Sequence, residues 1–102
     1  MIDGYLLNMR VFRKVEDSKQ QALKPLEEAA EIFGAWQARH NMRFASRECC
    51  GAFRKDLIDE CLDTVQAAAN MLAAVGATQG EVDTAIRRMD ERNKDRGRLS
   101  GR

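Results

Sequence analysis

The sequence predicts an all-α fold of two long antiparallel helices followed by a C-terminal helix, and three observations predict it. Ala, Leu, Glu, Arg and Lys are plentiful, glycine is sparse outside loop-like positions, and Pro25 is the only proline. Apolar residues recur at three- and four-residue steps over three stretches. Termination and capping signals mark the end of the second stretch and the start of the third. At 102 residues the chain is long enough for one modest core, so it is read as a single domain, 1–102.

Residues 1–17 hold Tyr5, Leu6, Leu7, Met9, Val11 and Phe12 in no decisive period, a lead segment that is either a short helix or an ordered arm. From about Ser18 to His40, the residues Ala22, Leu23, Leu26, Ala29, Ala30, Ile32, Phe33 and Trp36 trace an amphipathic helix. Proline is comfortable only in a first turn, so the regular helix begins near Lys24 or an earlier turn is kinked at Pro25. Residues 41–53, with Asn41, Ser46 and Gly51, read as a connection holding at most one short helical turn. A second helix follows from about Arg54 to Val75, with Leu57, Ile58, Cys61, Leu62, Val65, Ala68, Ala69 and Leu72 as its stripe and Gly76 as a left-handed cap. Thr78 and Glu81 have capping-box spacing, and Val82, Ala85, Ile86 and Met89 supply the buried side of a third helix to about Asn93. Gly97, Ser100 and Gly101 mark 97–102 as a flexible tail.

Seventeen basic residues against sixteen acidic ones leave no global pull toward nucleic acid or an anionic membrane. No apolar run nears the roughly 20 residues of a membrane span, and the polar residues Asp3, Asn8 and Arg10 are unlike a signal peptide. A soluble, cytoplasmic protein is expected. Cys49, Cys50 and Cys61 are odd in number and lack C-x-x-C spacing, which points to reduced thiols, with Cys61 as packing.

The chemistry lies in the carboxylates. Glu28 and Glu31 are three apart on the first long helix, and Glu60 and Asp63 are three apart on the second, so each pair projects from one face. On helices packed antiparallel, the four surround a hard divalent cation, whose charge offsets their repulsion. All-oxygen ligation favours Mg²⁺ or Mn²⁺ over zinc. Carboxylates three apart are more often a solvated face. Against that, Glu60 and Asp63 sit among Leu57, Ile58, Cys61, Leu62 and Val65, where a carboxylate needs a compensating partner. A di-iron bundle wants Glu-x-x-His, and His40, the only histidine, is not three residues after a glutamate. Asp56 and Glu27 are near enough to assist a second metal or take a proton from water.

The segment Lys24-Pro-Leu-Glu-Glu-Ala-Ala-Glu31, followed by Asp59-Glu-Cys-Leu-Asp63, resembles the E-x-x-E and E-x-x-D pair of the MazG-like, all-α nucleoside triphosphate pyrophosphohydrolases. The ending Asn93-Lys-Asp-Arg-Gly-Arg98 is similar to the N-x-x-R-G-R terminus of short phage and prophage members. The resemblance implies that Glu28, Glu31, Glu60 and Asp63 bind Mg²⁺. It further implies cleavage of a nucleoside triphosphate between the α and β phosphates to give monophosphate and pyrophosphate. Glu27 or Glu28 is the candidate for steering the attacking water. Lys24, Lys94, Arg96 and Arg98 are candidates for the phosphates, Asn70 for base or sugar, and Asn93 belongs to the terminal motif. Phe33 and Trp36 are read as core packing in preference to a base stack. Because so short a chain buries little alone, a homodimer with a four-helix core, or a homotetramer, is expected. Rival readings are a phosphoribosyl-ATP pyrophosphohydrolase-like enzyme, a nucleotide sensor, and a non-catalytic helical interaction module.

Overall fold

The computed structural model describes residues 2–99; the expectation of a flexible tail over residues 100–102 lies outside them. The described residues contain three α-helices and no strand. By contact the chain divides into two compact units, Met9–Val75 and Met1–Asn8 with Gly76–Arg102.

In the first unit, α1 spans Lys19–Asn41 and α2 spans Arg47–Ala74. Ser18 caps α1, its hydroxyl accepting from Gln21 N–H at 3.1 Å. Of the two placements left open for Pro25, the structure has the one with helix ahead of it: Pro25 lies inside α1, and having no N–H it gives the Gln21 carbonyl no helical donor. The helix starts where its apolar period begins because Ser18 satisfies the first turn, which offsets the loss at the proline. Residues 9–17 are an extended arm with no helix.

The connection is shorter than the sequence suggests. Five residues, 42–46, link α1 to α2, and α2 begins at Arg47 instead of Arg54. The reason is local. Ser46 caps the helix by accepting from Cys49 N–H at 3.2 Å, and Gly51 is absorbed into the second turn. The Cys50 thiol lies 3.5–3.6 Å from the carbonyls of Met42, Arg43 and Ala45, a weak donor among the acceptors of the turn, of which Met42 O also accepts from Ala45 N–H at 3.0 Å. All three cysteines are free. The tight turn lays α2 back along α1, and these two helices make the inter-helix packing.

In the second unit, α3 spans Gln79–Asp95 behind a complete capping box: Glu81 N–H donates to Thr78 Oγ1 at 3.1 Å, and Thr78 N–H to Glu81 Oε1 at 2.9 Å. Gly76, with φ of +73°, follows α2, and Gly97, with φ of +67°, follows α3. Both take the left-handed conformation that a helix stop needs. Arg98 N–H reaches back to Asn93 O at 2.8 Å, so the start of the expected tail is a formed cap.

Burial departs from expectation. Ala67 is the only buried hydrophobic residue among those described. Leu26, Phe33 and Trp36 of α1 are 68, 59 and 45% exposed, so the two aromatic rings do not pack into a core of the single chain. They instead stack along α1 with His40, at centroid distances of 6.1 and 4.9 Å. Ile86 and Met89, expected on the buried side of α3, are likewise exposed. One chain holds too little apolar volume to cover them. No helix among the described residues is long and apolar enough to cross a membrane.

Candidate metal centre

The half-buried positions of α1 are Gln21, Pro25, Glu28, Ile32, Ala35 and Ala38, at steps of four and three. On α2 the corresponding series is Phe53, Leu57, Glu60, Thr64 and Ala67. This is the seam of two helices packed lengthwise, and Glu28 and Glu60 occupy it where an apolar residue is usual. Asp63, one turn after Glu60, is exposed at its edge.

Glu28, Glu60 and Asp63 each place a carboxylate oxygen within 4.8 Å of the other two. Glu60 Oε2 is sealed from solvent with no hydrogen-bond partner. Both seam glutamates have pKa values raised above the ordinary carboxylate value. For Glu28 the cause is first burial, then the charge of Glu31 and a hydrogen bond to it, then Asp63; Lys24 pulls weakly the other way. For Glu60 it is again burial, then a hydrogen bond to Glu31, which forms once either carboxyl holds a proton, then the charges of Glu31, Asp63 and Glu28. The four carboxylates predicted to share a cation are thus neighbours, three of them in the tight group and Glu31 pressing on two of these.

The donor set fits a hard divalent cation. Oxygen is the only ligand atom offered, none of the three carboxylates has an ion-pair partner among the described residues, the nearby Lys24 being paired with Glu27, and the orphaned Glu60 oxygen is a paired ligand once a cation is present. Glu27 is not part of the group. It points to solvent and pairs with Lys24 at 3.2 Å. Asp59, adjacent to Glu60, pairs with Lys55 at 2.8 Å.

Beside the carboxylates is a cavity of about 520 Å³, within the range of small-molecule sites. Glu28, Asp63 and Lys24 line it, as do Phe12 and Lys14 of the lead segment. Asn70 lines it too and is 3% exposed. Its Oδ1 accepts from Phe12 N–H at 3.0 Å and from Gln66 Nε2 at 3.1 Å, while Gln66 Nε2 also donates to Arg10 O at 2.7 Å. Asn70, considered for a base or sugar, therefore has its carbonyl oxygen engaged in clamping the lead segment. Sequence reasoning missed the clamp and Lys14. The available signal was two amides four apart, Gln66 and Asn70, flanking Ala67-Ala68-Ala69.

Asn93, Lys94, Arg96 and Arg98 belong to the second unit, on α3 and its cap. There Arg98 Nη1 donates to Asn93 Oδ1 at 3.3 Å, which accounts for the pairing of these two as a helix-end device. Comparison with models of known families, with curated proteins and with solved structures finds no match to this chain.

Proposed function

We propose that this chain is a Mg²⁺-dependent nucleoside triphosphate pyrophosphohydrolase of MazG-like type. The observation that carries the reading is three carboxylates converging on a helix seam, one with a buried, unpartnered oxygen. A protein does not ordinarily assemble this arrangement for stability, since each ionised group is disfavoured by burial and by its neighbours. The order of the two acidic pairs along the chain, E-x-x-E before E-x-x-D, supports the family reading independently.

In this reading Glu28, Glu60 and Asp63 hold the cation and Glu31 is the fourth ligand; Mn²⁺ substitutes. When bound, the cation supplies Lewis acidity toward phosphate oxygens and toward water. The chain's own residues do the rest. The seam holds the carboxylates rigidly on two helices, so little reorganisation accompanies binding. Of the two residues considered for steering water, Glu28 lines the cavity and Glu27 does not, so Glu28 takes the proton. Lys24, on the cavity wall, lies near the phosphates. The reaction is water attack on a phosphoanhydride, with pyrophosphate as leaving group. Pyrophosphate release from a panel of canonical and damaged triphosphates with Mg²⁺, wild type against Glu60→Gln, tests it; no release from any of them, or an equally active variant, would overturn it.

Assembly belongs to the same reading. The apolar residues left exposed on the helix pair, Leu23, Leu26 and Phe33 on α1 with Ile58, Leu62 and Leu72 on α2, amount to more than a monomer ordinarily shows to water. A second copy covering them completes a four-helix core. Light scattering should report a dimer or tetramer, and Leu26→Glu a smaller species.

A further inference from the structure

Lys14 is a cation without a carboxylate partner on a cavity that already displays carboxylates. Among the described residues the ion pairs are Lys24 with Glu27 and Lys55 with Asp59, so Lys24 is partly neutralised and Lys14 is not. Lys14 is also held in place indirectly. The arm that carries it is tied to α2 two and four residues upstream, where Phe12 N–H meets the buried Asn70 and Arg10 O meets Gln66. An arm of this length, without helix or sheet, would otherwise sample many conformations. Two long-range bonds from amides of one helix instead bring residues 12–16 to the cavity edge, next to Glu28 and Asp63.

We infer that the lead segment is a wall of the substrate pocket and that Lys14 is a phosphate-binding residue, its ammonium pairing with the oxygens of a nucleoside triphosphate whose other oxygens meet the cation at Glu28, Glu60 and Asp63. The inference rests on the metal-centre reading above. A bound triphosphate carries more negative charge than one divalent cation neutralises, and a lysine on the same cavity supplies part of the remainder. Asn70 and Gln66 act through the arm as positioning residues, since their side-chain hydrogen bonds are to its backbone and to each other.

The test uses two titrations of the full chain. Mn²⁺ alone, followed by electron paramagnetic resonance, reads the metal centre. The α,β-imido analogues of dATP, dCTP, dGTP and dTTP, each titrated with Mg²⁺ in a calorimeter, read the pocket. Lys14→Ala should leave Mn²⁺ binding within twofold and weaken the best-bound analogue at least tenfold, with Lys14→Arg recovering most of the loss. If Mn²⁺ binds but Lys14→Ala holds the analogue as well as wild type does, or if wild type binds no analogue, the role of Lys14 is overturned and the metal centre stands. If wild type binds neither Mn²⁺ nor an analogue, the metal-centre reading falls and this inference with it.

Discussion

Glu27 and Glu28 are consecutive, as are Asp59 and Glu60, yet the members of each couple live under opposite electrostatics. On the outer face, Glu27 and Asp59 each have a lysine of their own helix, at 3.2 and 2.8 Å. On the seam, Glu28 and Glu60 have other carboxylates for neighbours, and proton affinity rises in both. A single residue step along a helix rotates a side chain by about 100°, which is enough to move it from solvent to the partner helix. The outer pairs are the i, i+3 and i, i+4 contacts of any exposed helix and contribute little. The inner group is costly without a cation, and the contrast locates where chemistry is to be sought.

The largest effect should separate the members of one couple. Glu60→Gln should lower pyrophosphate release by at least a hundredfold and abolish Mn²⁺ binding, whereas Asp59→Asn should leave both within twofold; equal losses in the two variants would erase the distinction between the faces. Asn70 provides a paired counterpart to the orphaned Glu60 oxygen. Asn70→Ala strands the Phe12 N–H and should cost about 1–3 kcal/mol of stability, read by urea unfolding, while Asn70→Asp retains an acceptor and should cost less. A loss under about 0.5 kcal/mol for the alanine variant would show that the arm is not held by this bond.

A smaller effect is expected in the pH dependence of the metal-free protein. Raised folded-state pKa values for Glu28 and Glu60 mean that the folded chain binds more protons than the unfolded one. Their contribution is therefore fully present below the unfolded value, near 4.5, and is lost as pH rises through the folded values. Melting in EDTA should show a downward slope across that window relative to Glu28→Gln and Glu60→Gln, which should be flatter and, at neutral pH, melt higher than wild type. Saturating Mg²⁺ should reverse the order at neutral pH. The smallest effect is reserved for Glu27→Gln, which removes only an exposed ion pair; its melting temperature should match wild type within a degree or so.

Much of the local structure was legible along the chain. The capping box at Thr78 and Glu81 and the left-handed glycine at Gly76 are short-range devices, read from residue type and spacing alone. The start of α2 was not, because Gly51 and the polar residues before Arg54 suggested a loop, while the deciding factor was the hydroxyl of Ser46 on Cys49 N–H. Pro25 left the start of α1 open between Ser18 and Lys24 in the sequence, and the Ser18 cap decides for the earlier one. The acidic pairs were visible as pairs, but Lys14 was not visible as a neighbour of Glu28, since they meet only because Asn70 and Gln66 capture the arm.

Sequence alone determined the all-α class, the three helices and the carboxylates worth watching, because helix propensity, caps and three-residue spacing act within a few residues. Tertiary structure decided which carboxylates face one another, that Glu31 adjoins the tight group of three and Glu27 lies outside it, and that the arm lines a cavity. Those outcomes depend on how α2 lies along α1 and on hydrogen bonds between residues 56 and 58 positions apart, distances over which no local rule operates.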